Sequence, residues 1–373
     1  MEPFQRQLND WFTHLHTHPE VSWEEYETTQ FLIRTLTSLG LTPQPFETMT
    51  GLYVDIGEGT PRVGLRADID ALYQEVNGTF RANHSCGHDG HMTMALGVAY
   101  YFTKIAPPRE AVRLIFQPAE EKGTGAKAVL QTGVIDRLDV LFGAHVRPLV
   151  ELEDGRHAPA IYHGAAKQLS GRIEGKQAHG ARPELGVNAI EVGAAFITAL
   201  KSLWTDPNVS SSVKVTQFEA GGDATNIIPG VARFKMDARA ATNEAMDDVT
   251  ENVHAVARHL SALYDADITI SEDVHIAAAV VDDEAKSWMA RAIVDVAGEE
   301  ALAPPITTPG GEDFHFYTLE RPTLQATMLG LGCGVTPGLH DPLMTFNTDQ
   351  LAPGALILAR AMTYALDERN DAR

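Results

Sequence analysis

Three short apolar runs, each ending in residues that can do chemistry, constrain this chain more than any other feature. Val112-Arg113-Leu114-Ile115-Phe116 reads as a buried strand and runs into Gln117-Pro118-Ala119-Glu120-Glu121. Val140-Leu141-Phe142-Gly143-Ala144 repeats the pattern and ends at His145, while Arg62 to Leu72 alternates into Asp68 and Asp70. Strands and helices alternate in this way to about Pro159, the pattern of a mostly parallel α/β sheet. Such sheets place their chemistry at the carboxyl ends of the strands. Two adjacent carboxylates there can divide labour, one ligating a metal and the other acting as general base on activated water. Asp68 and Asp70 are two apart and share a face of an extended segment. Each is open to two roles, orienting a metal-bound histidine or capping a turn.

The segment His84-Ser85-Cys86-Gly87-His88-Asp89-Gly90-His91 packs a thiol, three imidazoles and a carboxylate into eight residues. Sulfur, imidazole nitrogen and carboxylate oxygen together suit zinc-like transition ions. The only other cysteine, Cys333, sits far away in a glycine-rich run, so a disulfide is not expected. A single strand-end histidine or a single Glu-Glu pair is usually structural or solvated. Here Glu120, Glu121, His145 and the Cys/His segment form a set that such readings explain poorly.

Taken together, these stretches resemble the M20 family of metallopeptidases and amidohydrolases. The resemblance is to the subgroup that cleaves N-acyl amino acids, which includes hippurate and auxin-conjugate hydrolases. It rests on Leu65–Leu72, Ser85–His91, Phe116–Glu121, Gly143–His145, Ala178–Pro183, Asn226–Pro229, Gly311–Phe314 and Leu339-His340, in the family's order along the chain. It implies two divalent metal ions (zinc, manganese, cobalt or nickel) held by Cys86, His88, Glu121, His145 and His340. It further implies Glu120 as general base, Asp70 as the carboxylate that orients a ligand, His179 as a lid histidine on the scissile carbonyl, and Asn226 beside the substrate. The chain departs from the family pattern at Tyr73, at Lys122 and over Arg81–Ser85, beside these positions and not on them. The departures bear on the substrate more than on the chemistry.

The expected fold is a mostly parallel-sheet di-metal hydrolase domain, residues 1–163 and 277–373, with an inserted ferredoxin-like α+β lid and dimerisation domain, residues 164–276. The lid is read from strands at Leu169–Gly175, Ser212–Phe218 and Val231–Ala238 and helices at Val187–Leu203 and Ala245–Leu263. Near the start, Phe4, Leu8, Trp11, Phe12 and Leu15 share one helix face, and Ser22 with Glu25 reads as a capping box for a second helix. His14, His16 and His18 are read as structural or as substrate-rim residues, Met92 and Met94 as core, and Gly330–Gly334 as a tight backbone approach.

Composition bounds the partners. With 29 basic and 50 acidic residues the net charge is -21, which argues against nucleic acid and anionic membrane. No signal-like start and no apolar run long enough to span a bilayer are found, so a cytoplasmic location is expected. The expected activity is metal-dependent hydrolysis of an N-acyl amino acid, with a homodimer through the lid as the implied assembly. The alternatives are a dipeptidase or aminopeptidase, which must also bind a free α-amine, and a non-catalytic binding protein, which has no need of Glu120.

Overall fold

A computed structural model describes residues 2–371 and divides the chain into two compact units. The first comprises Met1–Tyr162, Val280–Thr307 and Asp313–Arg373, and the second His163–Ala279 with Thr308–Glu312.

In the first unit a seven-stranded sheet runs in the order Gln44–Pro45, Leu52–Ile56, Val112–Gln117, Val63–Asp68, Val140–Pro148, Gln325–Val335, His157–Ala158. The four inner strands from Val112–Gln117 to Gln325–Val335 are mutually parallel, and the outer ones join antiparallel. Every residue of Val63–Asp68 and of Val140–Pro148 is buried, as expected for strands covered on both faces. The helix His88–Tyr100 packs between Glu2–Thr17 and Leu351–Asp371 and is buried almost all round, with Met92 and Met94 in the core. Phe4, Leu8, Trp11 and Leu15 form the buried stripe of the first helix. The parallel α/β class expected from the alternating pattern is therefore borne out.

The capping box is not. The second helix runs Tyr26–Ser38 with no side-chain cap. The Ser22 hydroxyl instead donates to Asp70, and the Glu25 carboxylate accepts from Thr50 and from the Ala119 amide. Tertiary partners won over a local pattern that only the spacing suggested. The glycine-rich run lies inside the strand Gln325–Val335, where a Cβ on Gly332 would sit 2.1 Å from the Arg156 carbonyl oxygen.

The second unit is a four-stranded antiparallel sheet in the order Ser211–Ala220, Val231–Ala240, Ala165–Glu174, Asp267–Ile276, with helices Ala189–Leu200 and Asn243–Tyr264. In chain order this is βαββαβ, the ferredoxin-like arrangement. Val231–Ala240 alternates strictly, with Ala232, Phe234, Met236, Ala238 and Ala240 buried, so one sheet face carries the core. Asn188 and Thr242 cap the two helices by accepting from Ile190 and Ala245. Among the described residues no helix is long and apolar enough to cross a membrane.

Candidate active site

The carboxyl ends of three parallel strands and the start of one helix converge in the first unit. Val63–Asp68 delivers Asp68 and then Asp70, Val112–Gln117 leads to Glu120 and Glu121, and Val140–Pro148 carries His145. His88 opens the buried helix behind Cys86. Gly87 between them takes φ 82°, and a Cβ there would meet Val146 Cγ2 at 2.4 Å, so only glycine allows this entry.

The two aspartates flank the His88 ring. Asp70 Oδ1 lies 3.4 Å from His88 Nδ1, and Asp68 Oδ2 lies 3.8 Å from Nε2. The Nδ1–H is placed to donate to the Asp70 carbonyl oxygen at 2.9 Å, which leaves the Nε2 lone pair facing the site. His145 is set the same way: its Nδ1–H donates to the Val146 carbonyl at 2.7 Å, and Nε2 lies 3.6 Å from Cys86 Sγ. His91 accepts from the Val146 amide through Nε2, so its Nδ1–H donates to Asp68 at 2.7 Å.

Asp70 also builds the turn that carries both glutamates. Its Oδ1 accepts from the Glu120 amide at 3.1 Å and its Oδ2 from the Glu121 amide at 3.0 Å. The preceding Ala119 adopts a left-handed backbone, φ 54°, that alanine seldom takes, and Glu25 holds its amide at 2.9 Å. Glu120 Oε1 accepts from the Asp313 amide at 3.3 Å, while its Oε2 lies 3.9 Å from His88 Nε2. Glu121 Oε1 lies 3.9 Å from the same nitrogen, and Oε2 lies 3.5 Å from His340 Nε2.

Among the described residues five groups of potential ligand atoms result, two of them around Cys86: Cys86 with His88 and His145, and Cys86 with Glu121 and His340. Within each group the atoms lie within 4.8 Å of one another. Cys86 belongs to both. His88 Nε2 and Glu121 Oε1 are buried without a hydrogen-bond partner among the described residues. Orphaned acceptors that converge at this range fit a bound cation. Electrostatics point the same way. Burial pushes the Glu121 carboxyl up to about 7 and the Cys86 thiol well above its usual range. Burial also lowers the proton affinity of His88, but Asp68, Cys86 and Asp70 outweigh it and raise it above the usual histidine range. Asp68, Asp70, Glu120 and Glu121 place four carboxyl groups around the His88 ring, a setting that favours a bound cation.

Beneath it lies a support that the sequence reading missed. Arg66, fully buried, donates to Asp68 at 2.6 Å, to Gln117 at 2.8 Å and to Asp313 at 2.6 Å. Burial pushes the Asp68 carboxyl up, but His88, His91 and Arg66 outweigh it and keep the group well below its usual range. His16, on the first helix, is bound at 2.6 Å to the buried Asp89 beside His88, a structural role. The signals were present but weak: His91 stood in the Cys/His segment, and Asp313 in the Gly311–Phe314 stretch.

His179 and Asn226 belong to the second unit, where they are neighbours. Ala178-His179 pairs with Ile227-Ile228, and the Gly180 amide donates to the Asn226 carbonyl at 2.8 Å. Both side chains are exposed, and the Ala181 amide donates to His179 Nδ1.

Comparison with known proteins agrees with this architecture. Residues 64–364 match the model of peptidase family M20/M25/M40. An N-acetyl-L-cysteine deacetylase of Bacillus subtilis is 29% identical over 100% of this chain and 91% of its own length. An N-acyl-L-amino acid amidohydrolase of Geobacillus stearothermophilus is 38% identical over 59% of this chain and 63% of its own. The crystal structure of the Bacillus subtilis YXEP protein, described as a dinuclear metal binding peptidase from the M20 family, superposes with a TM-score of 0.83 at 26% identity, covering 98% of this chain and 99% of that one. The chain belongs to peptidase family M20/M25/M40 and is an amide-bond hydrolase of that family.

Proposed function

We propose that this enzyme hydrolyses N-acyl amino acids to a carboxylic acid and a free amino acid, using two divalent metal ions. The observation that carries the reading is the convergence of Cys86, His88, Glu121, His145 and His340, with a second carboxylate, Glu120, beside them. The five would hold the ions, Cys86 being the one residue shared by both ligand groups. A thiolate with imidazoles favours softer, borderline ions such as zinc over calcium or magnesium; the proposed set is zinc, manganese, cobalt or nickel. Such ions supply a water nucleophilic at neutral pH and polarise the scissile carbonyl.

The remaining chemistry belongs to the chain. Glu120 is the base: Asp313 holds one of its oxygens, and the other faces the site. It takes a proton from the attacking water and returns it to the leaving amine as the C–N bond breaks. Glu121, whose buried Oε1 lacks a hydrogen-bond partner, is the ligand. Asp70 fixes both glutamate amides and the His88 ring, so base and ligands keep their spacing. Residues 1–163 and 277–373 form the catalytic domain in this reading, and residues 164–276 the lid. There His179 donates to the carbonyl oxygen as negative charge develops, and Asn226 contacts the substrate. Dimerisation through the lid belongs to the same proposal.

The test is a screen of metal-loaded protein against N-acetyl, N-benzoyl and indole-acetyl amino acids and dipeptides. Cleavage of N-acyl amino acids should be abolished by prolonged chelation and restored by a divalent transition metal. Full activity in demonstrably metal-free protein refutes the two-metal reading, and cleavage of dipeptides alone refutes the substrate class.

A further inference from the structure

His340 differs from the other candidate ligands in how it is held. Cys86, His88 and His145 are buried, and packing fixes their side chains. The His340 side chain is 56% exposed. Its backbone is left-handed, φ 65°, a conformation in which a non-glycine residue persists only when its surroundings impose it.

Two hydrogen bonds to its main chain do so. The His340 amide donates to the Ser85 carbonyl at 2.7 Å, and the His340 carbonyl accepts from Gln74 Nε2 at 3.0 Å. Gln74 lies on the hairpin Leu72–Val76/Thr79–Asn83 and is itself oriented. Asn83 Nδ2 donates to Gln74 Oε1 at 2.8 Å and also to the Pro342 carbonyl at 3.2 Å. At the base of the loop, Thr336 and Thr345 exchange amide–carbonyl bonds at 3.0 and 2.8 Å. The loop is thus closed at its base by its own strands and fastened at its tip by two amide side chains from the hairpin. Both precede Cys86 in the chain, Asn83 by three residues.

We infer that Gln74 and Asn83 are positioning residues that hold His340 in ligating geometry and so set the affinity of the ion that Cys86, Glu121 and His340 would share. The inference rests on His340 being a ligand, as proposed above. The Gln74→Leu change keeps the bulk of the side chain and removes both the donor and the acceptor. Removing an outer support of a ligand typically weakens metal affinity by about 10- to 100-fold.

The experiment is competitive titration of metal-free protein with Co(II), following thiolate–cobalt absorption and bound stoichiometry, on the wild type, Gln74→Leu, Asn83→Ala and His340→Ala. The expected result is one Co(II) equivalent weakened about tenfold or more in Gln74→Leu, with the other equivalent and the thermal midpoint unchanged. Asn83→Ala should weaken the same equivalent by less, and it carries the test should Gln74→Leu misfold. His340→Ala should weaken that equivalent most. If His340→Ala weakens one equivalent while Gln74→Leu and Asn83→Ala bind both as the wild type does, the positioning role is overturned and the ligand assignment stands. If His340→Ala binds both equivalents as the wild type does, the ligand assignment fails, and the inference with it.

Discussion

Asp70→Asn tests the architecture of the site with a change of one atom. The carboxylate is fully buried and accepts from three donors, the Glu120 and Glu121 amides and the Ser22 hydroxyl. Burial alone raises its proton affinity, but His88, Ser22 and the Glu121 amide outweigh that and keep it ionised. An asparagine has one acceptor oxygen where the aspartate has two. If its NH2 occupies the place of Oδ2, Ser22 can rotate its hydroxyl and accept, but the Glu121 amide faces a donor. If the NH2 takes the place of Oδ1, the Glu120 amide does. Either way one backbone N–H of the turn is stranded, at a cost of about 1–3 kcal/mol, and the other bonds lose their charge assistance. That is enough to let the turn from Glu120 to Lys122 relax. His88 keeps the Asp70 carbonyl as partner for Nδ1–H, so its tautomer should persist. We therefore expect metal affinity to fall about 10- to 100-fold and turnover to fall with it, while the His88 tautomer read by NMR is unchanged. Ser22→Ala, which leaves both glutamate amides bonded, should have a much smaller effect. Wild-type metal affinity and turnover in Asp70→Asn, or an equal loss in Ser22→Ala, would refute the reasoning.

Glu120→Gln should nearly abolish turnover and leave metal content close to normal, whereas Glu121→Gln should lower metal content; the reverse pattern, read by elemental analysis, exchanges the two roles. His179→Ala should slow turnover about 100-fold, as for loss of one oxyanion donor, with metal content unchanged. A wild-type rate removes His179 from the mechanism. Recovery on subunit exchange with Glu120→Gln would assign it to the neighbouring subunit's site. Metal uptake should be pH-dependent, because Glu121, raised to about 7, and Cys86, raised well above its usual range, must each lose a proton to ligate. Affinity should therefore fall as pH falls through about 7, with proton release on binding measurable by calorimetry in two buffers. Uptake independent of pH between 6 and 8 would refute this.

The features legible in the sequence were those whose signal is local. Val112–Phe116 and Val140–Ala144 announce themselves as buried strands because both faces are apolar, and the polar residue that follows then stands at a strand end. The strand Val231–Ala240 of the second unit is readable by its alternation. What escaped notice is support supplied from far along the chain. Arg66 stands two before Asp68 in the strand, but nothing local marks its guanidinium as buried; Gln117 and Asp313, 51 and 247 positions away, give it acceptors there. Ser22 and Glu25 have the spacing of a capping box, but their partners are Asp70, Thr50 and Ala119. Nothing about Ala119 as a residue type foretells a left-handed backbone; the Glu25 carboxylate on its amide and the Asp70 carboxylate on the next two impose it. The division has a physical cause. Groups that meet substrate or metal are restricted to a few residue types and stand at the ends of regular elements, where pattern reveals them. Several of the groups that hold them in place, Asp70, Glu25 and Gln74 among them, bond to backbone amides and carbonyls, and every residue except proline offers both. A backbone acceptor or donor carries no residue identity, so the sequence holds no mark of which distant side chain will find it. Gln74 on the carbonyl of His340 is the same case on the outer side of the site, a contact between residues 266 positions apart that no local pattern announces.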